Sequence, residues 1–314
     1  MFEAILHNRI YMALLLIYLV LIAASIIVRV MRRKDNSGKH KELSDRLKSW
    51  WFMVGIFTVA MVTSPLVSIC LFALISFLAF KEYISIIPLR RVDRRVLFWA
   101  YLTIPLQYYF VADNWYGMFI VFIPVWVFFL LPFRLILAGQ TEGFLTSVTA
   151  ISWGLMITVF AVSHAAMLIM LSPVSEFVPA GGAGLLLFMV VLNQGNDVAQ
   201  YVWGKAFGKR KIMPLVSPKK TWEGFLGGMA TTTAVAVIIA PYLTPFSPGF
   251  AAFIGIVIAA TGFIGDVTFS ALKRDMGIKD TGSLIPGHGG ILDRIDSLSL
   301  TAPLFFHLTR YFYF

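Results

Sequence analysis

The chain has 314 residues, of which 59% are hydrophobic and only 13% charged, whereas about a quarter are charged in soluble domains. With a mean hydropathy of +0.81, that balance excludes a water-soluble globular enzyme and points to a polytopic membrane protein. The formal net charge of +10 would suit a nucleic-acid partner, but in a membrane chain Lys and Arg report topology and contact with anionic lipid, and no nucleic-acid motif is present. A single cysteine, Cys70 in an apolar run, excludes an internal disulfide and a cysteine-based metal cluster.

In chain order, the first apolar run extends from about Ile10 to Val30 and ends in Arg32-Arg33-Lys34. It is too long for a signal-peptide core and lacks a small-residue cleavage site, so it is expected to stay as a first membrane helix. A polar, basic loop follows, with a short amphipathic helix expected at its end. Residues 49 to 80 form an apolar run with Pro65 near its middle and Lys48 and Lys81 at its flanks. One crossing needs roughly 20 residues, and basic flanks on both sides imply a crossing and a return, so two short spans are expected over 49–64 and 66–80. After the basic segment from Lys81 to Arg95, spans are expected at about 95–111 and 115–133, joined by a turn at Ala112-Asp113-Asn114 and anchored by Tyr109, Trp115 and Tyr116.

Further spans are expected at about 145–171, from about Gly184, and at 225–243, 250–270 and 297–312. The sequence therefore predicts an all-α, polytopic integral membrane protein of about ten transmembrane helices. Residues 1–180 supply N-terminal helices and residues 181–314 the catalytic region, within one integrated membrane domain. With that topology, 24 of the 26 Lys and Arg fall on one side, leaving only Arg9 and Arg310 outside it. Both termini are then extracytoplasmic, and the polar regions face the cytoplasm, where nucleotides are.

Two polar regions stand out. In the helix from about Gly184, Asn193, Asp197, Gln200 and Gly204 follow at i, i+4, i+7 and i+11, a polar and small stripe on one face. The two amides suit interhelical hydrogen bonding, but the carboxylate of Asp197 needs a cation or a basic partner. A basic loop follows, containing Lys205, Lys209, Arg210, Lys211, Lys219 and Lys220. It also serves ordinary positive-inside topology and attraction of anionic lipid.

The second region, Asp266 to Asp296, places five aspartates, basic residues and a histidine directly after an apolar run. Ionisable groups near the bilayer cost about 2.5–3.5 kcal/mol each even on insertion scales. If the helix continues past Asp266, then Asp266, Ser270 and Lys273 share one face. The segment around Pro286-Gly287-His288-Gly289-Gly290 is too rich in Gly and Pro to stay helical, and its bare N–H groups can approach an anion. Asp266 and Asp293, hard oxygen donors from separate segments, suit Mg²⁺ shared with a phosphorylated substrate.

Ser270, Lys273, Arg274, Lys279, Asp280, Gly282, Ile285, Pro286, His288, Gly289, Gly290, Asp293, Arg294 and Asp296 resemble, position by position, the signature of phosphatidate cytidylyltransferases, also called CDP-diacylglycerol synthases. Ser217, Pro218, Lys220, Thr221, Glu223 and Gly224 resemble a second element of that family, and Asp197, Tyr201, Gly204, Phe207, Gly208 and Lys209 a third. The likeness covers roughly residues 190 to 300. It departs at Gln200, where the family usually has Ala, which suggests a divergent subgroup and bears on the lipid substrate more than on the chemistry.

The resemblance implies an Mg²⁺-dependent nucleotidyltransferase of phospholipid biosynthesis in the bacterial inner membrane, converting CTP and phosphatidate to CDP-diacylglycerol and pyrophosphate. On this reading Asp266, Lys273, Arg274, Asp293 and His288 are catalytic. Asp197, Ser217, Lys220, Thr221, Glu223, Lys279, Gly289, Gly290 and Arg294 bind CTP or lipid phosphate, and Asp266, Asp293 and Asp296 hold the metal, with Asp197 as an alternative ligand. Its partners are CTP, a phosphorylated lipid and the surrounding membrane lipids, and no nucleic acid. A second, monovalent cation and a homodimer stay open. Two other classes use the same residues: a CTP-dependent lipid or polyprenol kinase, and an ion-coupled transporter, although no inverted repeat is visible.

Overall fold

The computed structural model describes residues 9–34, 41–90, 93–137, 139, 141–172, 177–178, 180–282, 284 and 289–314. The elements are α1 (Arg9–Lys34), α2 (Lys41–Thr63), α3 (Pro65–Ile86), α4 (Arg94–Ala112), α5 (Tyr116–Ile136), α6 (Phe144–Met170), α7 (Gly181–Phe207), β1 (Lys211–Met213), β2 (Ser217–Thr221), α8 (Trp222–Leu243), α9 (Pro248–Asp275), α10 (Leu292–Ile295) and α11 (Leu298–Tyr313).

Local chemistry sets the ends that matter. Pro65 opens α3 rather than kinking a longer helix: Ser64 is extended and its Oγ accepts from Val67 N at 3.4 Å, and proline at the first helical position gives up an N–H that would be unpaired anyway. Ser247 and Pro248 open α9 in the same way, with Phe250 N donating to Ser247 Oγ at 3.3 Å. Between Lys41 and Thr63 no proline intervenes, so the expected separate amphipathic helix is instead the first turns of α2. α3 runs past the expected end at 80 to Ile86 and carries Glu82 and Tyr83 with it. α9 continues past Asp266 to Asp275, as the shared face of Asp266, Ser270 and Lys273 requires.

Six helices among the described residues are long and apolar enough to cross a membrane: α1, α3, α5, α6, α8 and α9. The other expected spans fall on α2, α4, α7 and α11, which are helical but shorter or more polar. The all-α architecture holds, with one local addition outside the helices: β1 and β2 pair as a short antiparallel ribbon in which Lys211 faces Thr221 and Met213 faces Ser217. Pro214 and Pro218 remove backbone donors there, and α7 has already stopped at the extended Gly208.

Among the described residues an apolar core extends from Ile10 on α1 to Phe305 and Phe306 on α11. Large apolar side chains such as Leu16, Phe52, Phe129 and Ile238 remain exposed, as on a surface facing hydrocarbon. Around the site, α7 packs on α8, α8 on α9, and α11 on α6 and α9. Gly224 and Gly228 let α8 approach the backbone and side chain of Gln200 closely, a small-residue contact typical of membrane helices.

Candidate active site

Three segments deliver the site: the polar stripe of α7, strand β2, and α9 with the chain that follows it to α11. Lys220, on β2, places Nζ 2.6 Å from Asp266 Oδ2 on α9, 3.3 Å from Gln200 Oε1 and 4.9 Å from the centre of the Phe263 ring. Ser270, one turn on, donates to Asp266 Oδ1 at 3.3 Å. Another turn on, Lys273 Nζ lies 2.7 Å from Asp293 Oδ1. The two aspartates expected to share a cation are thus each held by a different lysine.

Asp293 is well satisfied. Its Oδ2 accepts from Thr281 N at 3.0 Å and Gly290 N at 3.1 Å. Burial alone would raise this carboxyl, but Lys273 and those N–H groups hold it below the usual carboxylate range. Gly289 adopts φ +81° beside the carboxylate, in space a Cβ would take.

Asp197, Asp266 and Asp296 are satisfied far less. Ser297 Oγ lies 3.1 Å from Asp197 Oδ2 and 3.3 Å from Asp296 Oδ1, with one hydrogen to give. Ser297 N donates to Asp296 at 2.7 Å. Among the described residues Asp197 Oδ1 is buried without a partner, and so are Gln200 Nε2 and Asn193 Nδ2. Burial and the negative charges of Asp266 and Asp197 push the Asp296 carboxyl well above the usual range, opposed in part by Lys273. Lys220 and Arg294 bring positive charge towards Asp197, and Asp266 brings negative charge.

Among the described residues no three His, Cys, Asp or Glu are already drawn together as a metal cage. Even so, three mutually repelling carboxylates and an unpartnered buried carboxylate oxygen make a donor set that a hard divalent cation suits. The residues present therefore fit Mg²⁺.

The remaining expected site residues divide between local scaffolding and the surface. Thr221 caps α8, its Oγ1 accepting from Gly224 N at 3.2 Å. Glu223 accepts from Lys209 N at 3.0 Å and Arg210 N at 3.2 Å, tying the end of α7 to the ribbon. Ser217 sits opposite Met213 in the ribbon. Arg274 is exposed and bonds Ile278 O at 3.0 Å, and Lys279 is exposed. His288, with Ile285 and Pro286 of the same signature, lies outside the described residues.

The sequence reading missed three residues. Thr281 and Ser297 occupy variable places beside the signature positions. Glu82, on α3, accepts from Ile291 N at 2.8 Å. Its one sequence signal, an acid following Lys81 at the end of an apolar run, looks like ordinary interfacial charge.

Comparison with known proteins identifies the family. A family model described as the cytidylyltransferase family matches residues 44–312. Escherichia coli K12 has a relative of uncharacterized function, YnbB, 44% identical over 295 residues, which covers 94% of this chain and 96% of YnbB. Phosphatidate cytidylyltransferases of Haemophilus influenzae and Pseudomonas aeruginosa are 43% and 46% identical over 141 and 124 residues. Those matches cover 43% and 39% of this chain and 48% and 46% of the relatives, so the likeness spans about half the length of these enzymes. Family match and polar site together make this chain a nucleotidyltransferase belonging to the cytidylyltransferase family.

Proposed function

We propose that the chain transfers the cytidylyl group of CTP to phosphatidate, giving CDP-diacylglycerol and pyrophosphate. The observation that supports this most is the set of two lysine–aspartate pairs, Lys220–Asp266 at 2.6 Å and Lys273–Asp293 at 2.7 Å, flanking the under-satisfied Asp197 and Asp296. A lipid phosphate oxygen attacks the α-phosphorus of CTP, the bond to the bridging oxygen breaks, and pyrophosphate leaves. Both reactants and the leaving group are anions, and phosphoryl-type transfer asks the protein mainly for positioning and charge stabilisation.

On this reading Lys220 and Lys273 exchange carboxylate partners for phosphate oxygens when substrate enters, while Gln200 Nε2 and Asn193 Nδ2 supply the free donors on α7. Asp266 and Asp296, with Asp197 beside them, would hold Mg²⁺. Asp293, the third carboxylate of the expected set, joins them only by releasing Lys273. Held by those carboxylates, Mg²⁺ would supply charge neutralisation for the triphosphate. Glu223 and Thr221 act through the ribbon, by keeping Lys220 in place.

The ten-crossing topology with a cytoplasm-facing site belongs to the same proposal, supported by the segregation of 24 of 26 basic residues. Incubating the purified protein with labelled CTP and vesicles containing phosphatidate tests the activity. A lipid-linked cytidylyl product with pyrophosphate release is expected, whereas a phosphorylated lipid with CDP release would make the protein a kinase. In cells, after replacing the exposed Cys70, Arg210→Cys is expected to resist an impermeant thiol reagent and Ser247→Cys to react.

A further inference from the structure

Glu82 stands at the end of α3, far in sequence from every residue of the signature, yet its carboxylate reaches the loop that leads to Asp293. It accepts from Ile291 N at 2.8 Å and Leu292 N at 3.3 Å, at the start of α10. The Thr281 hydroxyl also donates to it. That hydroxyl lies 3.0 Å from Asp293 Oδ2 as well, but it carries one hydrogen. Asp293 Oδ2 already receives two backbone N–H groups, whereas Glu82 Oε1 has otherwise only the long contact from Leu292. The hydrogen therefore belongs to Glu82, and Thr281 becomes a bridge, with its O–H to Glu82 and its N–H to Asp293.

The surroundings are built around this carboxylate. A Cβ on Gly290 would run into the Glu82 carboxylate, and one on Gly282 would meet it at 3.3 Å, so the carboxylate lies directly against two glycines and a side chain at either would push it from its place. The support is stiff: the next residue, Tyr83, is buried, donates to Ala150 O on α6 at 2.9 Å and packs against Gly154. A charge kept only for the membrane interface would face water and would not gather backbone donors from a loop two hundred residues away.

We propose that Glu82 is a positioning residue for nucleotidyl transfer: from the N-terminal half it holds Thr281, Ile291 and Leu292 so that Asp293, and through it Lys273, face the phosphates. The catalytic consequence rests on reading Lys273 as a phosphate-binding cation, whereas the clamp itself does not.

Both parts are open to one set of measurements on the full-length protein in detergent: kcat and KM for CTP with phosphatidate, and amide hydrogen exchange across 281–292. Glu82→Gln is expected to lower kcat roughly ten- to a hundredfold, as loss of a supporting residue does, with the KM for CTP within about threefold, because charge at the phosphates is kept but its placement is not. Exchange at Ile291 and Leu292 is expected to quicken. Thr281→Val should act in the same direction, and the double variant should be scarcely worse than the more affected single one, because the two share one bridge. Glu82→Asp should recover part of the activity. Lys81→Ala, on the exposed neighbour, should leave activity and exchange unchanged. Should Glu82→Gln fail to fold, Thr281→Val carries the same test. Unchanged exchange in the variants overturns the clamp whatever the substrate, and quickened exchange with unchanged kcat overturns the catalytic role. A wild-type protein that gives no lipid-linked cytidylyl product overturns the substrate reading alone, since exchange reports the clamp without turnover.

Discussion

Two sets of carboxylates meet where α7, α9 and α10 converge, and they differ in what satisfies their oxygens. Asp293 and Glu82 are surrounded by donors: Lys273, the N–H groups of Thr281, Gly290, Ile291 and Leu292, and the Thr281 hydroxyl. Asp197, Asp266 and Asp296 share Lys220, two serine hydroxyls and the single N–H of Ser297, and among the described residues Asp197 Oδ1 has no partner. A carboxylate saturated by backbone donors is fixed in place and holds a loop. One left short of donors in a poorly solvated site is costly unless a cation or substrate completes it, so the unsatisfied set is where chemistry is expected.

The largest effect should follow from removing charge in the unsatisfied set. Asp266→Asn and Asp296→Asn keep the shape of the side chain and lose its charge, and each is expected to cut CTP-dependent turnover by about a thousandfold with the protein still folded. Groups acting as one unit are not additive, so the double variant should be scarcely slower than either single one. Multiplying losses would mean that the two carboxylates act separately, and the comparison would break there.

Asp293→Asn gives a smaller but sharper contrast. In the saturated set, its loss strands Lys273, whose side chain is only 12% exposed. Breaking a buried pair from one side costs about 3 kcal/mol, so a lower thermal midpoint and a roughly hundredfold drop in kcat are expected. The Mg²⁺ concentration for half-maximal rate should stay as in the wild type, whereas Asp266→Asn should raise it. A raised Mg²⁺ requirement in Asp293→Asn would return this residue to the metal ligands and merge the two sets.

The path from sequence to this division is uneven, and the reasons are physical. Helices were legible from apolar runs with basic flanks, because lipid demands both. So was the face shared by Asp266, Ser270 and Lys273, since helical periodicity is a local property. The pairing of charges was not: Asp266 and Asp293 look alike in the sequence, and only the ribbon that delivers Lys220 distinguishes them. That ribbon was missed because two very short strands, one followed by Pro214 and the other containing Pro218, leave no alternating pattern. Glu82 was invisible for a different reason, since its partners lie about two hundred residues on and a glutamate next to a lysine at a helix end carries no signal of them. Gly282 and Gly290 are readable as close backbone approach to an anion, and the structure supplies a nearer anion, the Glu82 carboxylate itself.

The smallest effect is expected at Glu223, which the sequence places with the substrate-binding residues and whose carboxylate is engaged by Lys209 N at 3.0 Å and Arg210 N at 3.2 Å. It resembles the saturated set, and it supports the ribbon from which Lys220 reaches Asp266. Glu223→Gln keeps one acceptor oxygen and loses the charge-assisted share of two exposed hydrogen bonds, so the effect should be small. If the ribbon is its only task, that loss loosens the placement of Lys220, so the KM for CTP should rise about three- to fivefold while kcat stays within twofold of wild type. The Mg²⁺ dependence should not move, because no carboxylate of the unsatisfied set is touched. A fall in kcat comparable to that of Asp266→Asn would instead put Glu223 among the groups acting on the reacting phosphates. Having its donors already supplied by backbone would then no longer mark a carboxylate as scaffold, and the assignment of Asp293 would have to be reopened with it.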